Sequence, residues 1–204
     1  MRRRQLLRLG AAALPVALAG CTSTGGPGYA TTDSPTPADT PVEVVSTADA
    51  PDVPVEYDVT MAEPVATGEH PARLHATIRN PTDSAVVLGE ERAVQFHHVT
   101  SEDGALHLLP ADSRVEEFAD PGCWRLTDHV AVAEYYGTFE IPAGGSVDAE
   151  SAVMGGADLP EGTCLPTGEH RVLTSGRVAG DAETLLDGGG EAADYEWGFT
   201  LRVG

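Results

Sequence analysis

Lysine is missing from the 204 residues, and asparagine occurs once, at Asn80. Without lysine the chain has no side-chain amine for a Schiff base and no lysine ammonium to clamp a phosphate. HExxH, GxSxG and phosphate-loop spacings are also absent, which removes the commonest signatures of metalloprotease, serine hydrolase and nucleotide chemistry. The one asparagine precedes Pro81 in "NPT", and that proline blocks N-glycosylation. No apolar run reaches the roughly 20 residues that a membrane-spanning helix needs.

What is abundant is negative charge: 32 acidic residues stand against 12 basic ones, all arginine, for a formal charge of -20. Four of the arginines (Arg2, Arg3, Arg4 and Arg8) lie in the first ten residues. The remainder repels nucleic acid and anionic lipid, so no nucleic-acid partner is expected. Self-repulsion of this size destabilises a compact fold at ordinary salt. At molar salt, where the Debye length falls to about 3 Å, it is screened. An acid-rich, lysine-free composition therefore suggests a halophilic protein.

The N-terminal "MRRRQLLRLGAAALPVALAGC" combines a basic start, a short apolar stretch broken by Pro15, and small residues before Cys21. It reads as a cleavable export signal over residues 1–20. "RRQLLR", with Arg3 and Arg4 as the pair, resembles the twin-arginine signal that exports folded proteins. "LAGC", Leu18 to Cys21, resembles the lipobox of lipoproteins. That resemblance implies cleavage before Cys21, a thioether-linked lipid on its thiol, and a place on the outer face of the cell membrane. Residues 21–54 are rich in Thr, Ser, Pro, Gly and Asp, and the expectation is a lipid-anchored, disordered linker.

From Val55 to Gly204 short β-branched and alternating runs are separated by Gly, Pro, Asp and Ser. In "RLHATIR" Leu74, Ala76 and Ile78 share one face, as in a half-buried antiparallel strand. Eight or nine such runs predict an all-β antiparallel sandwich, with a closed barrel as the other possibility. "AVQFHHVT" (Ala93 to Thr100) and "AVAEYYGTFEI" (Ala131 to Ile141) are among the predicted strands. Ser113 to Phe118 is the one short helical stretch expected, and Gly180 to Asp194 reads as a mobile acidic hairpin loop. "TGEH" occurs at Thr67 and again at Thr167, each time before a strand, and reads as a recurrent turn.

Cys123 and Cys164, an even pair in an exported chain, predict a disulfide. A copper site would need His and Met close behind Cys123, and "CWRLTDH" does not supply them. Adjacent His97 and His98 would point to opposite faces of a strand, whereas His75, His97 or His98, and His107 could meet across neighbours. Tyr195, Trp197 and Phe199 alternate onto one face, either as core or as an aromatic binding strip. No catalytic residue, metal ligand or cofactor is assigned. The expectation is a non-catalytic binding module, its partners being membrane lipid through Cys21 and a protein or carbohydrate at the cell surface. The alternative is an accessory protein that binds a metal or a redox partner.

"IRNPTDSAVVL" (Ile78 to Leu88), "EDG" (Glu102 to Gly104), "IPAGGSV" (Ile141 to Val147) and "PTGEHRV" (Pro166 to Val172) together resemble Ig-like domains of the intracellular proteinase inhibitor type. The resemblance implies an Ig-like sandwich over residues 55–204. The insert at Asp112 to Thr127, the two cysteines and the long final hairpin depart from that pattern, so inhibitor activity is not carried over. Export signal, lipobox and acidic domain together are similar to surface lipoproteins of haloarchaea.

Overall fold

The computed structural model describes residues 39–112, 114, 117–132, 136–187 and 191–204. Arg3, Arg4, Cys21 and most of the expected linker lie outside the described residues, as does much of the stretch expected to be helical at 113–118. In chain order the strands are β1 (Thr40–Thr47), β2 (Glu56–Glu63), β3 (Val65–Ala66), β4 (Arg73–Arg79), β5 (Val86–Gly89), β6 (Val99–Thr100), β7 (Leu106–Pro110), β8 (Thr138–Ile141), β9 (Ser146–Gly155), β10 (Gly168–Ala179) and β11 (Ala193–Val203). Helix α1 (Glu91–Val94) follows β5, and α2 (Ala182–Asp187) follows β10. The strands form two antiparallel sheets, of order β3-β1-β11-β10-β5-β8 and β2-β4-β9-β7-β6. The fold is thus the expected all-β sandwich, with eleven strands among the described residues rather than eight or nine.

The period-2 pattern decides which faces meet. Leu74, Ala76 and Ile78 of β4 are buried, while Arg73, His75 and Thr77 alternate with them on the other face. From the opposite sheet come Trp197, Phe199 and Leu201 of β11, all buried. Tyr57 of β2 stacks on Trp197 at 4.8 Å between ring centres and 13° between planes. Its hydroxyl lies 2.7 Å from that of Tyr195. The alternating aromatic face of β11 is therefore core, and the binding-strip alternative is set aside.

Besides the run Ala131 to Ile141, of which only Thr138–Ile141 is strand among the described residues, three sequence expectations need correction. The stretch expected to be a disordered linker to Pro54 contains β1, paired to β11 in the register Val42↔Val203 and Val44↔Leu201. Val42 is 1% exposed, and Arg202 of β11 reaches Glu43 at 2.6 Å and Glu169 of β10 at 2.8 Å. One short apolar alternation in a Pro- and Thr-rich context was enough, because a ready-made strand edge supplies the partners.

The run Ala93 to Thr100 is not one strand. It ends α1, turns, and becomes β6, with Phe96 (φ 56°) and His98 (φ 60°) in the left-handed region. Such a conformation costs a non-glycine residue on the order of 1–2 kcal/mol. Phe96 offsets it by complete burial: its ring meets Phe199 at 5.0 Å, and Tyr57 and Trp197 each at 6.0 Å. Ser151 of β9 donates to the Phe96 carbonyl at 2.8 Å and fixes the turn.

The third correction concerns the expected mobile loop from Gly180, which opens with α2. Asp181 accepts from the Thr184 amide (2.8 Å) and hydroxyl (3.0 Å) at the start of the helix. Leu185 is buried beside Val87 and Ala179.

At one corner the sheets touch. Ser101 bridges to Val172, and the Glu102 amide donates to the Arg171 carbonyl at 2.9 Å. The buried His170 clasps this corner, with Nδ1 2.7 Å from Asp103 and Nε2 3.0 Å from the Pro166 carbonyl.

Candidate functional site

An opening lies where β9 loses a neighbour. β4 pairs with β9 from Ser146 to Ala152, whereas β7 pairs with it only from Ser151 to Gly155. The Ala111 amide makes the last bond on the β7 side, to the Glu150 carbonyl at 3.0 Å. Below it a cleft of about 410 Å³ opens, lined by Asp148, Ala149 and Glu150 on one wall, Ala111 and Asp112 on another, and Gln95, His97 and Arg73 around them.

Each wall has a local cause. Alternation along β9 turns Asp148 and Glu150 outward, and they flank His75 of β4 at 3.3 Å and 4.0 Å. The Phe96 turn throws Gln95 and His97 into the opening, because Phe96 itself is drawn into the core. Burial lowers the basicity of His97, although the Asp112 carboxylate and a hydrogen bond to the Glu150 main chain oppose it. A neutral ring results, and its buried Nε2 has no hydrogen-bond partner. Arg73 leans toward Glu63, with its Nε 3.7 Å from that carboxylate, and Nε too makes no hydrogen bond. The lining thus holds three carboxylates, one guanidinium and an uncharged imidazole. It is rich in acceptors and suits a ligand that brings donors and positive charge.

The residues singled out in the sequence are placed as follows. Cys123 and Cys164 are bonded, with Cα atoms 4.9 Å apart, so neither offers a free thiolate to copper. A Cβ built on Gly155 would overlap the Cys164 carbonyl oxygen, which is why the strand carries no side chain there. His75, His97 and His107 do not converge: among the described residues no three His, Cys, Asp or Glu side chains form a metal-binding group. His107 contacts Thr100 at 3.1 Å, and His129 lies 3.6 Å from Asp158. Both ring nitrogens of His170 have partners, and its role is in the corner clasp. The two "TGEH" stretches differ: in the first the Thr67 hydroxyl caps Glu69 and His70 amides, and in the second Gly168 begins β10.

Gln95, Asp112, Asp148 and Glu150 were missed as a group. Carboxylates are so common in this chain that none stands out. The only signal was "QFHH", which reads as a strand until the burial of Phe96 is known. No family model matches the chain, and no curated protein or solved structure matches it. A functional reading therefore stands on this chain's own chemistry.

Proposed function

We propose that the chain is an exported, lipid-anchored surface protein whose Ig-like sandwich is a non-catalytic binding module. The observation that carries the anchor is "RRQLLR" followed by an apolar stretch and "LAGC". Arg3 and Arg4 belong to the export signal, and Cys21 takes the lipid on the outer face of the cell membrane. The cleft beside β9 serves as the binding site, since its carboxylates and Gln95 line an opening next to the end of β7. The alternative role as an accessory metal-binding protein has less support, because the histidines lie apart.

Replacement of Cys21 by Ser tests the anchor. The expected outcome is transfer of the protein from the membrane fraction to the medium. Retention of the variant on membranes would remove the lipidation reading.

The same reading makes this a haloarchaeal type of protein, with 32 acids and no lysine suited to molar salt. The melting temperature is expected to rise between 0.1 M and 2 M potassium chloride, as the screening length falls from about 10 Å toward 3 Å. A melting temperature that ignores salt over this range would refute the adaptation.

A further inference from the structure

We infer that the cleft takes an extended peptide segment bearing an arginine or lysine side chain, added as a strand to the open edge of β9. The inference rests on the reading of the cleft as the module's binding site; it does not depend on the lipid anchor.

Two features of the cleft agree. The first is backbone. From Ser146 to Ala149, β9 has among the described residues a strand neighbour only on the β4 side, and its other edge presents main-chain donors and acceptors to the cleft. Another extended chain completes such an edge, and alternate side chains then fall into adjacent pockets. Continued from β7, an antiparallel partner would lie beside Asp148.

The second feature is charge. Three carboxylates against one guanidinium leave the described lining with an excess of two negative charges. An arginine or lysine side chain carries several N–H donors and no acceptor, so it complements this set. Arg73, drawn toward Glu63, leaves the Asp112 and Glu150 side of the cleft to the incoming cation.

Other occupants fit less well. A bare metal ion would need three converging ligands, and none are grouped among the described residues. A sugar is commonly held by stacking on a ring, and among the described residues the cleft lining contains no aromatic side chain. Neither would use the strand edge.

The test is fluorescence polarisation of the full-length protein, in a non-ionic detergent, with three capped, labelled pentapeptides. These are Thr-Arg-Val-Arg-Thr, the same peptide N-methylated at its central valine, and Thr-Glu-Val-Glu-Thr. The arginine peptide is expected to bind saturably, more tightly at 0.5 M than at 2 M potassium chloride, and the glutamate peptide at least tenfold more weakly. N-methylation, which removes a main-chain donor but keeps both charges, should weaken binding at least tenfold. The double substitution Asp112→Asn and Glu150→Gln should do the same while leaving the melting temperature of these exposed positions nearly unchanged.

Equal binding of the N-methylated and parent peptides would overturn strand addition, and unaltered binding by the double variant would overturn the site. Absence of arginine-peptide binding overturns the peptide inference. Saturable binding of calcium or of a neutral disaccharide, sensitive to the double variant, would in that case keep the module reading. Failure of all these probes at the cleft would sink both readings, leaving the Cys21 fractionation result untouched.

Discussion

The two halves of β9 share one strand and one outward face, yet they differ in every respect that bears on function. Alternation places Asp148, Glu150, Ala152 and Met154 on the same side. The first two are exposed and the last two are completely buried. The difference is cover. Over the upper half lies the insert that contains Trp124, tied down by bonds of 2.9 Å from the Gly155 amide to the Trp124 carbonyl and from the Leu126 amide to the Gly155 carbonyl. Trp124 also donates from its indole to the Thr67 carbonyl at 2.6 Å. Over the lower half nothing comparable is seen among the described residues, and β7 has ended. A strand that needs an insert and a disulfide to cover one half, and leaves the other half as a cleft, separates stability from binding along its own length.

The largest expected effect comes from releasing the cover. The Cys123–Cys164 bond closes a loop with a sequence separation of 41. A loop of that size is worth on the order of 4 kcal/mol through denatured-state entropy. The reduced protein, or the double Cys→Ser variant, should still fold in 2 M salt but melt well below the oxidised form. Hydrogen exchange sharpens the comparison: amides near Trp124 and Gly155 should lose protection, and those of Val147 and Ala149, on the β4 side of the strand, should not. Equal loss along all of β9 would mean that the two halves are a single unit. Two alkylatable cysteines in the unreduced, unfolded protein would mean that no bridge forms.

A smaller effect is expected from single side chains on that shared face. Met154→Ala removes a fully buried side chain and should cost roughly 3 kcal/mol, within the range for such truncations. Asp148→Ala, on the same face, removes an exposed group whose contacts are the Thr77 hydroxyl at 2.7 Å and His75 at 3.3 Å. It should change stability by no more than about 0.5 kcal/mol. Urea midpoints decide the matter, and similar losses for the two variants would contradict the division.

Most of the sandwich was legible because its strands announce themselves by period 2. β4 falls where the alternation of "RLHATIR" predicted a strand, and β11 where Tyr195, Trp197 and Phe199 alternate. The Cys123–Cys164 pair was legible from parity alone. β1 was not, since its pairing energy comes from the β11 edge, 150 and more residues away in the chain. The turn at Phe96 was hidden for a related reason: local propensity favoured extension, and long-range burial of one ring overrode it. The cleft inherits both difficulties. It exists because β7 stops one residue after Leu109, and no residue in "LLPAD" reports where its neighbour strand continues.

The smallest expected effect is one of pH, and it touches both halves of the strand. His97 lines the open half, and His107 sits opposite Met154 in the covered half. Burial depresses the pKa of each, with Asp112 partly offsetting it at His97 and His129 adding to it at His107. His98 is depressed chiefly by burial and then by Arg92. An unfolded histidine titrates near 6.5, so between that value and the lowered ones the unfolded chain binds more protons. Stability therefore rises with pH through this window and is lost as pH falls from about 6.5 downward. Asp103 acts in a lower window. Burial alone would raise its pKa, but hydrogen bonds from Ser101, the Ala105 amide and His170 outweigh it and hold the carboxylate low. Its contribution is present above the unfolded aspartate value near 3.9 and disappears only on further acidification. Urea midpoints in 2 M salt should thus fall between pH 7.5 and 5, and fall again below pH 4. His97→Gln and His107→Gln should each flatten part of the first decline, and Asp103→Asn part of the second. A first decline that survives loss of His107 but vanishes with His97 would locate the acid sensitivity in the open half alone. A midpoint constant from pH 7.5 to 5 would show that the histidines of neither half are buried enough to matter.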